Sequence, residues 1–222
     1  GDTPFARLAH ILGLHPAYCV HTRMKMIETD IRALAAQTPR DRPLNVANLG
    51  CGTAQETQNI VSDTTLDRSI HFTLIDQDDL ALTFAHRATR PGVAHHGGRM
   101  RVDALHSSFI DMMKAGRVFG TLARRVFIVA VGLRDYLNAK RCRNLVEALY
   151  EQLAPGGLLA VANLKDGPES ALWPMEFFTD WSVIFRTHED MRAMAAGLTD
   201  AEVWLEDDST GRVVMLRARK PG

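Results

Sequence analysis

The sequence predicts an α/β domain: a mostly parallel, seven-stranded sheet with helices on both faces and an N-terminal helical cap. Three observations predict it. Short apolar runs alternate with helical stretches from residue 44 to residue 163, a Gly-x-Gly turn follows the first run, and an acid closes the second. Strands separated by helices are joined by crossovers, which makes them parallel and buries them on both sides.

Residues 1–40 are expected to form the cap. Phe5, Leu8, Ile11 and Leu12 recur at helical spacing, Pro16 is expected to interrupt, and Met24, Ile27, Ile31 and Leu34 mark one face of a longer helix. A turn-rich break at 38–43 places the main unit at 41–222. Five apolar runs, at 44–49, 70–75, 100–105, 126–131 and 158–163, are the parallel strands. Helices at 54–61, 78–87, near 109–114 and at 139–153 connect them, and Pro155, Gly156 and Gly157 stop the last one. His95 and His96, beside Gly97 and Gly98, read as a solvated loop. An aromatic-rich stretch at 164–181 follows the fifth strand, then a helix at 188–197. Strands at 201–205 and 212–218 flank a hairpin turn at 207–211, adding an antiparallel pair.

Composition narrows the function. Lys and Arg number 26, as do Asp and Glu, so no net positive field draws the chain to nucleic acid or an anionic membrane. The three cysteines are far apart and lack metal-ligand spacing, and no His-x-x-x-His pair supports a metal site, so no metal is expected. With no apolar run long enough to span a bilayer and no leader pattern, the chain reads as cytoplasmic, with a small molecule as its partner and room for a homo-oligomer. Because it starts at Gly1 rather than Met, missing upstream sequence is an expectation.

The chemistry is expected at the carboxyl ends of the strands, where open parallel sheets bind ligands. Asn48 and Leu49 end the first strand, and Gly50, Cys51 and Gly52 turn the chain into a helix whose free amides face outward. Alone this signal fits a dinucleotide or a ligand-free turn, but the third glycine of the dinucleotide pattern is missing, with Ala54 and Gln55 in its region. Asp76, followed by Gln77, stands twenty-four residues past Gly52, where a carboxylate accepts both ribose hydroxyls of an adenosine cofactor. The competing reading is that Asp76 caps the next helix, a task Asp78 or Asp79 can also do. Ser107 past the third strand, and Val131 and Gly132 past the fourth, complete the expected cofactor set.

The run from Leu49 to Ala54, the Leu74-Ile75-Asp76 strand end and the stretch from Leu153 to Leu159 resemble motif I, motif II and the post-fourth-strand motif of class I S-adenosylmethionine-dependent methyltransferases. That resemblance implies a Rossmann-like fold with S-adenosyl-L-methionine as cofactor. A narrower one rests on Ile75-Asp76-Gln77-Asp78, Gly132 to Leu137, Ala162-Asn163-Leu164, Met175-Glu176, Asp180 to Thr187 and Thr210-Gly211. These are similar to a bacterial group of extracellular-factor 3-hydroxypalmitic acid methyl ester biosynthesis methyltransferases, which implies O-methylation of a hydroxy-fatty acid carboxylate or a similar small acid. Two positions depart from it: Asn48 stands where many class I members carry an acid, and Arg134 replaces an aromatic residue.

A carboxylate acceptor needs positioning and exclusion of water rather than a general base. Tyr136, Asn163 and Arg186 are the residues expected to position it, with Trp173, Met175, Phe177 and Trp181 as an apolar wall. The opposing readings are plain loop packing and an internal Glu176–Arg186 ion pair. His10, His15 and Tyr18 are further candidates from the cap. Two alternatives stay open: a non-catalytic cofactor-binding or regulatory domain, and a natural-product methyltransferase acting on nitrogen or a phenol. A nicotinamide-dependent oxidoreductase is disfavoured by the missing third glycine.

Overall fold

The computed structural model describes residues 3–108, 111, 124–132, 137–165, 175–177, 180 and 182–222, without the side chains of Leu12, His15 and Pro16. Its elements run α1 (Pro4–Gln37), β1 (Leu44–Leu49), α2 (Gln55–Ser62), β2 (Ile70–Asp76), α3 (Asp79–His95), β3 (Met100–His106), β4 (Arg125–Ala130), α4 (Ala139–Glu151), β5 (Leu153–Leu164), α5 (His188–Met194), β6 (Glu202–Asp207) and β7 (Val213–Arg219). The expected helix near 109–114 lies almost wholly outside the described residues.

One seven-stranded sheet has the order β3-β2-β1-β4-β5-β7-β6. The first five strands are parallel, β7 is antiparallel to β5, and β6 is antiparallel to β7. The sequence order reverses between β1 and β4, so the crevice of an open α/β sheet falls above those two strands.

Two apolar layers hold the helices. Strand side chains alternate between faces, so Val46, Phe72, Phe127, Val129 and Ala160 join Ile27, Ile31, Leu34 and Ile60 on one side. Ala47, Leu49, Ile75, Ile128 and Val161 join Leu145, Val146, Leu149 and Met191 on the other. Each fully buried Leu, Ile or Phe contributes about 1.5–3 kcal/mol. Helix starts are chemically marked. Thr3 caps α1 with Pro4 behind it, Asp78 caps α3, Asn138 caps α4, and Thr187 with Asp190 forms a capping box on α5.

Four expectations are corrected. Helix α1 runs unbroken for 34 residues across position 16, because packing of its inner half outweighs the local cost of a proline. Its outer half leaves Leu8, Ile11, Leu14 and Tyr18 exposed. Helix α3 continues past Arg87 to His95 with Pro91 inside it. His96 is not solvated: it is 1% exposed, and its Nε2 lies 3.0 Å from the Val61 carbonyl oxygen. The stop after α4 comes at Glu151, and β5 starts at Leu153, with 154–157 bulging out of register against β4.

Salt bridging ties α1 to α2. Asp63, which caps the end of α2, accepts hydrogen bonds from Thr65 and from Arg32 of α1, and these hold its carboxyl at about 2 against an ordinary 3.8. A carboxyl depressed in the folded state stabilises above its unfolded pKa, and that contribution disappears as pH falls through the folded value. Asp63→Asn should therefore show a shallower loss of melting temperature between pH 4 and pH 2 than the wild type, in melts across that range. Parallel acid limbs would contradict the assignment.

Candidate functional site

At the switch point the chain leaves β1 through a left-handed loop. Gly50, Gly52 and Ala54 all have positive φ, at 61°, 52° and 50°. Gly50 donates its amide to the Ile75 carbonyl at 2.8 Å, and the Gly52 amide donates to Asp76 Oδ2 at 2.7 Å. The other Asp76 oxygen accepts the Asp78 amide at 3.0 Å. Asp78, not Asp76, caps α3, accepting from the Leu80 and Ala81 amides. The acid ending β2 thus pins the glycine loop, and each of its oxygens keeps a lone pair.

Gln77 and Ser107 flank Asp76 at the ends of β2 and β3. The Ser107 amide donates to the Asp76 carbonyl at 2.9 Å, and His106 Nε2 lies 3.0 Å from the Gln77 carbonyl. On the other side of the loop, Gly132 leaves β4 so close that a Cβ there would stand 2.8 Å from the Gly50 carbonyl oxygen. Asn48, Gly50, Cys51, Gly52, Val131 and Gly132 line a cavity of about 260 Å³ together with Val20, Arg23, Met24 and Ile27 of α1 and Glu56 of α2.

The cavity floor is polar and buried. Asn48, 3% exposed, donates Nδ2 to Glu56 Oε1, and its Oδ1 has no hydrogen-bond partner among the described residues. Burial pushes the Glu56 carboxyl up, countered by hydrogen bonds and by the Arg23 charge. Burial, then the Asp76 and Glu56 charges, pushes the Cys51 thiol up, which keeps it protonated and poorly nucleophilic. Arg23 and Glu56 were missed in the sequence. The signal was there for Arg23, which stands four residues before Ile27 on the apolar face of α1, an unusual place for a charge.

Of the residues expected to position an acceptor, Tyr136 lies outside the described residues, as do Arg134, Trp173 and Trp181 and the side chain of His15. Asn163 and Arg186 are brought together. Arg186 is 4% exposed, and its guanidinium donates to Asn163 Oδ1 and to the Leu137 carbonyl, while Asn163 Nδ2 donates to the Ile184 carbonyl at 2.7 Å. This pair clamps the exits of β4 and β5 to the strap before α5. Met175 is buried, whereas Phe177, His10 and Tyr18 are exposed. Among the described residues no cluster of three metal-ligating side chains occurs, and no helix is long and apolar enough to cross a membrane.

The strand order, the crossovers and the glycine loop at the switch point define the Rossmann-like fold of class I methyltransferases. No family model matches the chain, and no curated protein matches it by sequence. Solved structures do. A possible exported protein from Bordetella parapertussis is 21% identical with a TM-score of 0.68, over 92% of this chain and 69% of that one. The N-methyltransferase NodS from Bradyrhizobium japonicum, in complex with S-adenosyl-L-homocysteine, is 17% identical with a TM-score of 0.57, over 89% of this chain and 87% of its own. Magnesium protoporphyrin IX methyltransferase from Synechocystis, also with bound S-adenosylhomocysteine, is 9% identical with a TM-score of 0.62, over 99% and 89%.

Proposed function

We propose that this chain is an S-adenosyl-L-methionine-dependent methyltransferase acting on a small molecule. The observation that carries the reading is the cavity at the β1/β4 switch point, where glycine-loop backbone, Gly132 and the orphaned Asn48 Oδ1 converge. A buried acceptor without a donor costs about 1–3 kcal/mol unless a ligand supplies one, and an ammonium group does so. Asn48, Gly50, Cys51, Gly52, Val131 and Gly132 would surround the methionyl end; Asp76, Gln77 and Ser107 would hold the adenosine end. The solved complexes of NodS and the protoporphyrin enzyme with S-adenosylhomocysteine support the same cofactor.

When bound, the cofactor supplies a methyl group on a sulfonium centre that is already activated. The protein's part is to align donor and acceptor and keep water out. Asn163 and Arg186 act here as positioning residues, bonded to the Ile184 and Leu137 carbonyls, with Tyr136 proposed to face the acceptor. The acceptor proposed is the carboxylate of a hydroxy-fatty acid or a similar acid, supported by the sequence resemblance. We further take residues 1–40 as a cap on the 41–222 unit and place the protein in a reducing, cytoplasmic compartment, supported by three free cysteines, two of them buried.

The test is thermal. At a hundredfold excess over Kd, a ligand stabilises by about 2.7 kcal/mol, which for a chain of this size raises Tm by about 5–10 °C. S-adenosylhomocysteine should do this and NAD should not. Protection by NAD alone, or by neither, would sink the reading, and methyl transfer from labelled cofactor to a panel of acids then addresses the acceptor.

A further inference from the structure

The whole chain carries equal numbers of acids and of lysines and arginines, but its first helix does not share that balance. From Thr3 to Ile27 there is no acid, while Arg7, Arg23 and Lys25 are cationic and His10, His15 and His21 lie among them. Arg23 is engaged at the cavity beside Glu56 and Lys25 with Glu28 at 2.8 Å, which leaves Arg7 as the fixed charge of the outer half. That half is also apolar where it meets water. Phe5, Leu8, Ile11, Leu14 and Tyr18 are each more than half exposed. Steps of three residues turn an α-helix by about 60°, so the side chains from Phe5 to Leu14 sweep about half its circumference. Arg7 and His10, both exposed, stand one turn before Ile11 and Leu14.

The breadth and the charge of this face select its occupant. Pairing with a helix of a second copy uses a narrow seam of apolar positions, not an arc this wide. Residues 4–18 also make a strip only about 22 Å long and about 10 Å across, a small footprint beside the roughly 800 Å² per partner that a stable dimer buries. A bilayer surface sets neither limit. It takes a broad apolar arc to a depth of about 5–10 Å, and anionic headgroups attract a helix that has a cation and no acid. The arginine stem and the phenol of Tyr18 suit that boundary, each having an apolar body and a polar tip. We propose that the outer half of α1 is an interfacial anchor that docks the protein on an anionic lipid bilayer, with Leu8 and Ile11 among the acyl chains and Arg7 at the headgroup phosphates. The helix reaches the cavity two residues after Tyr18, at Val20, so docking sets the cavity beside the bilayer. The anchor stands independently of which cofactor that cavity holds.

The test is flotation of the full chain with lipid vesicles. Vesicles of equal parts phosphatidylglycerol and phosphatidylcholine should bind wild type at least about fivefold more tightly than phosphatidylcholine alone, the effect of one cation at an anionic surface. Salt at about 0.5 M should remove most of that difference. Leu8→Ser combined with Ile11→Ser should lower binding to the mixed vesicles at least about tenfold by removing two inserting side chains. Its Tm should stay close to wild type, because both positions are exposed. Arg7→Glu keeps the apolar arc and should abolish the preference for phosphatidylglycerol, which tests the charge even if the double variant fails to fold. Wild type that floats with neither vesicle overturns the proposal, as does equal binding to both. A folded double variant that binds as wild type does, or an Arg7→Glu variant that keeps the preference, overturns it too. So does light scattering that shows a dimer in wild type and a monomer in the double variant, since a second copy then covers the face. Each of these failures leaves the methyltransferase reading standing, because none of the measurements involves S-adenosylhomocysteine.

Discussion

Gly132→Ala is expected to weaken S-adenosylhomocysteine binding by at least about tenfold while the sheet stays folded. The added Cβ would stand 2.8 Å from the Gly50 carbonyl oxygen, a backbone atom with no rotamer to change. Gly50 cannot retreat freely, because its amide is bonded to the Ile75 carbonyl and Gly52 is pinned by Asp76. Relief must come from moving the glycine loop or the exit of β4, and both line the cavity. Overpacking of this kind costs about 1–3 kcal/mol, and a tenfold loss of affinity needs about 1.4. Gly52→Ala is the informative contrast. Nothing lies within 4 Å of a Cβ there, so its penalty is the left-handed backbone at φ +52°, about 1–2 kcal/mol. Calorimetry and melting curves on both variants check this. If Gly132→Ala binds the ligand as wild type does, the cavity is not where the cofactor lies.

The contrast also shows why parts of this fold are readable in the sequence and parts are not. Strands β1, β2, β4 and β5 announce themselves because both faces are buried, giving continuous apolar runs within a residue or two of the observed bounds, apart from the early start of β5. The glycine loop and the acid ending β2 were legible for the same reason, being punctuation at strand ends. What failed depends on distant residues. The expected helix at 78–87 runs on to His95, because α3 packs on α2 so closely that a Cβ at Gly92 would stand 2.5 Å from the Val61 carbonyl oxygen. The same carbonyl receives the His96 ring, which buries a histidine that the neighbouring glycines made look solvated. Asn163 and Arg186 stand out in the sequence as candidates to position an acceptor. Their pairing across 23 positions is a tertiary fact that no spacing in the sequence announces.

Helix α1 is held from its other side by the β6–β7 hairpin, and this sets the second large effect. Asp208→Ala is expected to lower Tm by about 6–12 °C. Asp208 is 6% exposed and accepts the Arg212 and Val213 amides at 3.1 and 3.0 Å, the Thr210 hydroxyl, and the Thr22 hydroxyl of α1. Hydrogen bonds to a charged group are worth about 1.5–3 kcal/mol each, but bonds sharing one acceptor are not additive. A net loss of about 3 kcal/mol or more follows, at about 2–4 °C per kcal/mol for a chain of this length. Thr22→Val separates the two duties of Asp208. Of the bonds to Asp208 it removes only the one from α1, so it should cost less stability yet loosen the helix one residue from Arg23. Val20, Arg23, Met24 and Ile27 of α1 line the cavity, so on the proposed reading Thr22→Val should weaken S-adenosylhomocysteine binding. A Tm for Asp208→Ala within about 1 °C of wild type would refute the anchoring role, and wild-type affinity for S-adenosylhomocysteine in Thr22→Val would detach the hairpin from the site.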